Sequence, residues 1–352
     1  MVNQYHFVIY TAINHMNNIS HSSRRRYLAG VGTAVTAGVA GCLGGGGSNQ
    51  IGLGYLPVYP DLQWFVMDDQ GYLDGVDREI DSQQFQNGTP MVRAFGSGDL
   101  DVALLGIVPA LNAIDRGIAA KVTAANVTEP NAIMAHEGFI TRWEATGDET
   151  AFDDWAAENG TFEFGAFPQG STPDVLLRFW LRERVGVEPS SVADITELGG
   201  ANPLFQAITN GEVDGASVLE PVLTRVQQED SPVELFKPAG EIMSGQPGAV
   251  VLMTDEVRDS EFAVEFLEQH VRATEFINNN PDETASIVES GIGIPEEDAR
   301  VALDGPISNF ISDPREIEGG TETFASFINQ SGQVDQELTA TEIFDYGSYD
   351  SI

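Results

Sequence analysis

The chain repeats itself once. Gly98-Asp99-Leu100-Asp101-Val102-Ala103 returns as Gly211-Glu212-Val213-Asp214-Gly215-Ala216, and each copy follows a helical stretch and opens an apolar run. Pro109 and Pro221 come after the two copies at nearly the same offset. A helix–Gly–acid–strand connector recurs throughout α/β proteins, so the match gains weight only from its placement, one copy in each half. It predicts two similar α/β lobes whose strand C-terminal ends face a shared cleft.

The flanking sequence fills out both lobes. Strands are expected over 51–56, 76–83, 102–107 and 121–126. Between them, helices are expected over 61–70, from Thr89-Pro90 to Gly96-Ser97-Gly98, and from Pro109 to Gly117. A polar, acid-rich joint covers 146–159. Strands at 162–167, 195–198 and 213–219 then alternate with helices opened by Thr172-Pro173 and Asn202-Pro203. A strand at 248–253 carries the chain back, followed by helices over 261–279, 296–303 and 322–328.

Composition decides which partners such lobes can serve. The 352 residues hold 54 acids against 17 cations, a formal net charge of −37, and only Lys121 and Lys237 are lysines. Nucleic acid is an unsuitable partner, because phosphate binding needs a basic stripe to release counterions. An anionic membrane surface is disfavoured on the same ground. Disorder is excluded by 42% hydrophobic and 9% aromatic residues, enough for a core. Such an excess of carboxylates strains a compact state in dilute buffer. In molar salt the Debye length falls to about 3 Å and the repulsion is screened. The composition therefore reads as adaptation to a salt-saturated environment.

The first 41 residues contain no acid, and without Arg24, Arg25 and Arg26 the remaining chain carries a net −40. Ser23-Arg24-Arg25-Arg26-Tyr27-Leu28 resembles the twin-arginine export motif, with Met16 an alternative start to Met1. The apolar run from Leu28 to Ala40 makes roughly 20 Å of helix, short of a hydrocarbon core of ~30 Å, and suits a signal segment. Val39-Ala40-Gly41-Cys42 resembles a lipobox, which makes Cys42 the lipidation site and 1–41 the signal. Residues 42–49, rich in glycine, form a flexible tether. Cys42 is the only cysteine, so no intrachain disulfide can form. The expected location is the extracellular face of the cytoplasmic membrane.

Several motifs in order resemble the substrate-binding proteins of nitrate/sulfonate/taurine ABC importers. They are Gly54-Tyr55-Leu56-Pro57 with Gln70-Gly71-Tyr72-Leu73, Phe95 to Val102 with Gly106-Ile107-Val108-Pro109-Ala110-Leu111, Gly170-Ser171-Thr172, and Gly211 to Pro221. The resemblance spans roughly residues 50 to 345. It implies two Rossmann-like α/β lobes joined by two crossing strands, the type II periplasmic-binding-protein arrangement. Lobe I is then 50–142 with 243–352, and lobe II is 143–242. It also implies a monomer that closes over a small organic anion or zwitterion and delivers it to an ABC permease, without cofactor or metal. The alternative within the same fold is a thiamine-pyrimidine-precursor binding protein or a pyrimidine-synthesis enzyme. The Lys-rich segment usual before the second lobe is replaced by Ala156-Ala157-Glu158-Asn159-Gly160.

Candidate ligand residues sit at strand ends. Gly170-Ser171-Thr172 precedes a helix, so Ser171 and Thr172 offer hydroxyls and free N–H groups to an anion, or simply cap the helix. Gly106 and Ile107 contribute backbone and an apolar wall. Tyr55 ends the first strand, with Trp64 either beside it in the cleft or in the core. Asn126 and Asn202 can orient a ligand through their amides. Glu220 either pairs with a ligand ammonium or braces the hinge. In so acidic a chain an anion is expected to be held mainly by backbone amides and hydroxyls. Beyond the signal only His136 and His270 remain, and no HExxH, paired cysteine or G-x-S-x-G appears, which argues against an enzyme.

Overall fold

The computed structural model describes residues 50–352; the expected signal (1–41), Cys42 and the tether (42–49) lie outside the described residues. In chain order the strands are β1 (Gln50–Tyr55), β2 (Glu79–Gln84), β3 (Val102–Gly106), β4 (Ala120–Ala125), β5 (Val127–Thr128) and β6 (Asn131–His136). They continue as β7 (Phe162–Ala166), β8 (Ala193–Glu197), β9 (Gly215–Leu219), β10 (Val233–Pro238), β11 (Ala249–Thr254) and β12 (Asn309–Phe310). One sheet has the order β2-β1-β3-β11-β4, a second β10-β6-β9-β7-β8, and β5 pairs with β12 beside the crossings.

The two sheets have the same plan. In each, three parallel strands (β2, β1, β3 and β8, β7, β9) are followed by an antiparallel strand that has come over from the other lobe. β11 enters the first sheet beside β3, and β6 enters the second beside β9. The repeated hexapeptide explains the match in register. Leu53 and Gly54 of β1 lie opposite Val102 and Ala103, and Phe164 and Gly165 of β7 lie opposite Gly215 and Ala216. Its second acid does the same work twice. The Gly52 N–H donates to the Asp101 carboxylate at 2.9 Å and the Glu163 N–H donates to the Asp214 carboxylate at 2.9 Å. Each Asp N–H returns a bond of 2.8 Å to the same strand residue's carbonyl. The repeat is thus a clip that starts each central strand pair. Asp101→Ala and Asp214→Ala are each expected to lower the unfolding free energy by about 1–3 kcal/mol, measured by denaturant titration in molar salt. Losses that differ by much more than the range itself would break the equivalence.

Two expectations need correction. The first lobe boundary, set between 142 and 143, falls inside the helix Glu137–Thr146, whereas β6 is already bonded into the second sheet. The chain has crossed by Asn131. The polar joint at 146–159 is also mostly the helix Thr150–Asn159, which buries Ala151, Phe152 and Trp155. These join Phe139, Phe162 and Phe164 in a tilted aromatic stack, with Phe139 4.5 Å from Phe162 and 4.8 Å from Phe152. Aromatic burial of this size dominates a core's energetics, and it outweighs the charged outer face that the sequence presents. The helix Pro281–Ile292, opened by Pro281, lies where no element is expected.

One apolar cluster runs through both lobes, taking Leu105 and Leu111 from the first and Phe162 and Leu176 from the second. The helix Glu318–Gln330 helps to bind them. Its Phe324 and Phe327 meet Phe179 of the second lobe edge-on at 6.2 and 5.3 Å. No helix among the described residues is long and apolar enough to cross a membrane.

Candidate functional site

Gly106, the last residue of β3, and Thr172, the first of the helix Thr172–Phe179, meet across the lobes. A Cβ on Gly106 would lie 2.8 Å from Thr172 Oγ1, closer than side chains tolerate. Only glycine lets the lobes approach this far. Thr172 is 6% exposed, and its hydroxyl has no hydrogen-bond partner among the described residues. Such a buried, unpaired group is costly unless something fills it. Ile107 is buried and its N–H is committed to the Gly248 carbonyl at 2.9 Å, so it supplies wall and not a donor.

Beside this contact lies a cavity of about 430 Å³ walled by both lobes, with Thr89 and Asn112 on one side, Gly170 and Asp174 on the other, and Gln333 from the C-terminal segment. Ser171 caps the helix as expected, accepting from the Asp174 N–H at 3.5 Å. The free anion slot expected at this helix start is partly taken by the protein itself. Asp174 accepts from the Gly170 N–H at 2.9 Å and pairs with Arg178 at 2.9 Å. Burial still raises the Asp174 pKa, against the pull of the Gly170 N–H and Arg178. Beside the backbone amides and hydroxyls expected to hold an anion, Arg116, Arg178 and Arg182 line the cavity.

The other candidates fall elsewhere. Asn126 lies in a buried network under the β1 turn. Its amide donates to Asp61 at 3.2 Å, its Oδ1 is 3.0 Å from His270 Nε2, and its carbonyl takes a bond of 2.7 Å from Gln63. The Leu56 N–H donates to the same Asp61 at 3.2 Å, so the network sets the loop after β1. Burial pushes the Asp61 carboxyl up to about 7 and the His270 imidazole down to about 3. Tyr55 stacks on Trp64 at 4.9 Å. Trp64 itself is buried in the first lobe's outer core with Phe65 and Phe266, which resolves it as core. Asn202 is exposed within the helix Ala201–Thr209 and accepts from Arg225 at 2.9 Å, apart from the other candidates.

Glu220 is 1% exposed and both carboxylate oxygens are occupied by Thr224, through its N–H and its hydroxyl, each at 3.1 Å. A Cβ on Gly305 would stand 2.8 Å from Glu220 Oε1, so the residue is wedged against the first lobe's C-terminal segment. This geometry is that of a brace. Burial raises its pKa to about 7, against the Thr224 bonds. Both histidines have local occupations too: the His136 ring accepts from the Gly138 N–H at 3.0 Å, opening the helix Glu137–Thr146. Among the described residues no group of three or more His, Cys, Asp or Glu could hold a metal ion.

The model of the NMT1-like family matches residues 44–291, most of the chain. The chain belongs to the NMT1-like family. No curated protein matches it. Among solved structures, the aliphatic sulphonate binding protein of Escherichia coli is similar at 16% identity, with 84% of this chain and 92% of that chain covered and a TM-score of 0.68. The nitrate-binding protein of Synechocystis PCC 6803 is similar at 14% identity, with 87% and 88% covered and a TM-score of 0.69. The ligand binding component of an ABC-type import system from Staphylococcus aureus, with zinc bound, reaches 18% identity, 86% and 98% coverage and a TM-score of 0.67. At such identities these likenesses establish the fold. This NMT1-like chain therefore has the periplasmic-binding-protein architecture, two α/β lobes joined by crossing segments.

Proposed function

We propose that this NMT1-like protein is an extracytoplasmic solute receptor for an ABC importer, holding a small organic anion or zwitterion of the sulfonate or taurine kind between its lobes. The observation that carries this reading is the Gly106–Thr172 contact beside a cavity walled by both lobes. A ligand there touches both lobes at once, so its binding free energy favours the closed arrangement that a permease distinguishes. The fold shared with sulphonate- and nitrate-binding proteins supports the same reading. Export by the twin-arginine route, anchoring through Cys42, action as a monomer and a salt-adapted surface complete the proposal.

The test is a ligand screen in molar KCl, read by thermal shift and small-angle scattering, over sulfonates, taurine, nitrate, bicarbonate and pyrimidine precursors. At least one is expected to raise the melting temperature and shrink the radius of gyration. Gly106→Val drives side-chain atoms into Thr172, and is expected to weaken that ligand at least about tenfold while leaving each lobe folded. A protein that neither closes nor gains stability with any of these solutes is not such a receptor.

A further inference from the structure

The described residues hold 14 lysines and arginines among them, and three of these, Arg116, Arg178 and Arg182, line the interlobe cavity described above. In a chain where acids outnumber cations threefold, a cation has many acids to pair with. Arg116, at the end of the helix Ile107–Asp115, nevertheless has no acidic partner among the described residues. Arg178 reaches Asp174 only through Nε, which leaves its terminal nitrogens without a bond to any described residue. Arg182 turns to the exposed Glu188 at 2.8 Å.

The arrangement comes from both lobes. Arg178 and Arg182 are one helical turn apart and share a face, while Arg116 approaches from the first lobe. Asp174 is the only acid in the lining, so the side chains around the cavity sum to two positive charges inside a protein of net −37. Guanidinium groups bind oxyanions through paired N–H donors, and do so better than any other side chain. A volume of about 430 Å³ is of the size that takes an organic molecule; a bare three-oxygen anion would fill little of it. An ammonium finds no free carboxylate here, because Asp174 is occupied by Gly170 and Arg178 and Glu220 by Thr224.

We propose that this cavity binds an organic dianion, a phosphate monoester or a dicarboxylate, whose charge bridges Arg116 of the first lobe to Arg178 and Arg182 of the second. This rests on the receptor reading and moves its solute, among small organic anions, from the singly charged sulfonates to a dianion. The bridge makes closure and charge recognition one event. Without the dianion Arg116 faces the second lobe with no acidic partner among the described residues; with it the two lobes share one anion.

The experiment is calorimetric titration of the protein at pH 7.5 in constant molar KCl, with glycerol 3-phosphate and succinate against methanesulfonate and taurine. One dianion is expected to bind at least about tenfold tighter than either singly charged or zwitterionic probe, and which of the two does so separates phosphate from dicarboxylate. Arg116→Gln removes a cation with no protein partner, so it leaves the fold intact, and is expected to weaken that dianion about tenfold. Arg178→Gln is expected to do the same, with circular dichroism confirming that Asp174 tolerates the loss. Tighter binding of methanesulfonate or taurine, unaffected by Arg116→Gln, overturns the dianion while leaving the receptor reading in place. Binding of no probe of either class, together with no closure in the wider screen, removes both.

Discussion

Asn126→Ala is expected to lower the unfolding free energy by about 2–4 kcal/mol, because it strands the buried His270 ring and takes from Asp61 one of its two donors. Asp61 and His270 are fully buried, and the Asn126 side chain bonds to both. Alanine keeps the backbone bonds to Gln63 and Ile311 but removes the amide. His270 cannot escape by changing charge, whereas Asp61 can take up its proton more fully. His270 already resists protonation, with its pKa held down to about 3 by burial, and Asp61 is already pushed up to about 7. Denaturant titration in molar salt measures the loss, and Asn202→Ala sets the scale. Asn202 is exposed and makes one bond to Arg225, so its removal should cost under about 1 kcal/mol. If the two variants lose similar amounts, water reaches the network and the packing argument is wrong.

The features legible in the sequence were local. The hexapeptide repeat needs only a helix stop, an acid and a strand start, and both copies carry out the same clip at Asp101 and Asp214. A cap at Ser171 or Thr172 is legible for the same reason, since a short hydroxyl side chain at a helix start has a ready partner in the next turn's N–H, and the structure selects Ser171. The order of the motifs gave the family.

What escaped was long-range or hidden by charge. The helix Thr150–Asn159 shows solvent a row of acids, and its buried Phe152 and Trp155 face one side only. Their spacing of three marks a buried side, set among acids that mark the exposed one. Asp174 was equally visible. Ser171-Thr172-Pro173-Asp174 follows the pattern of a capping box, in which an acid three residues on turns back to the helix start. Here it reaches the Gly170 N–H, filling the slot expected to be open. The arginine cluster could not be assembled from spacing. Arg178 and Arg182 are four apart, but Arg116 joins them only when the lobes fold together. Glu220 posed the reverse difficulty: its position before Pro221 suggested cleft or hinge equally, and only Thr224 and Gly305 decide for the brace.

That brace carries a pH signature. Glu220 is pushed up to about 7 by burial, from an ordinary 4.5, and Asp61 to about 7 from 3.8. A carboxyl whose folded pKa is raised binds its proton more tightly folded than unfolded. Below the unfolded value both states are protonated and nothing is lost. As pH climbs from there to about 7, the unfolded chain sheds the proton while the folded one keeps it, and stability falls by up to about 1.4 kcal/mol per pH unit for each group. Above about 7 the loss levels off. The protein is therefore expected to be more stable at pH 5 than at pH 8 in constant molar salt, where general self-repulsion is screened. Glu220→Gln isolates one group. Glutamine matches the protonated acid, since its carbonyl accepts from the Thr224 N–H and its amide donates to the Thr224 hydroxyl. The variant is expected to equal the wild type near pH 5 and to exceed it by about 1–3 kcal/mol at pH 8. Burial raises the Tyr59 pKa, and the charges of Glu220 and Asp304 add to it, so Tyr59→Phe and Asp304→Asn supply the control for neighbouring charge. A glutamine variant that runs parallel to the wild type from pH 5 to 8 would show that Glu220 is ionised in the folded protein, and that solvent enters the seam at Gly305.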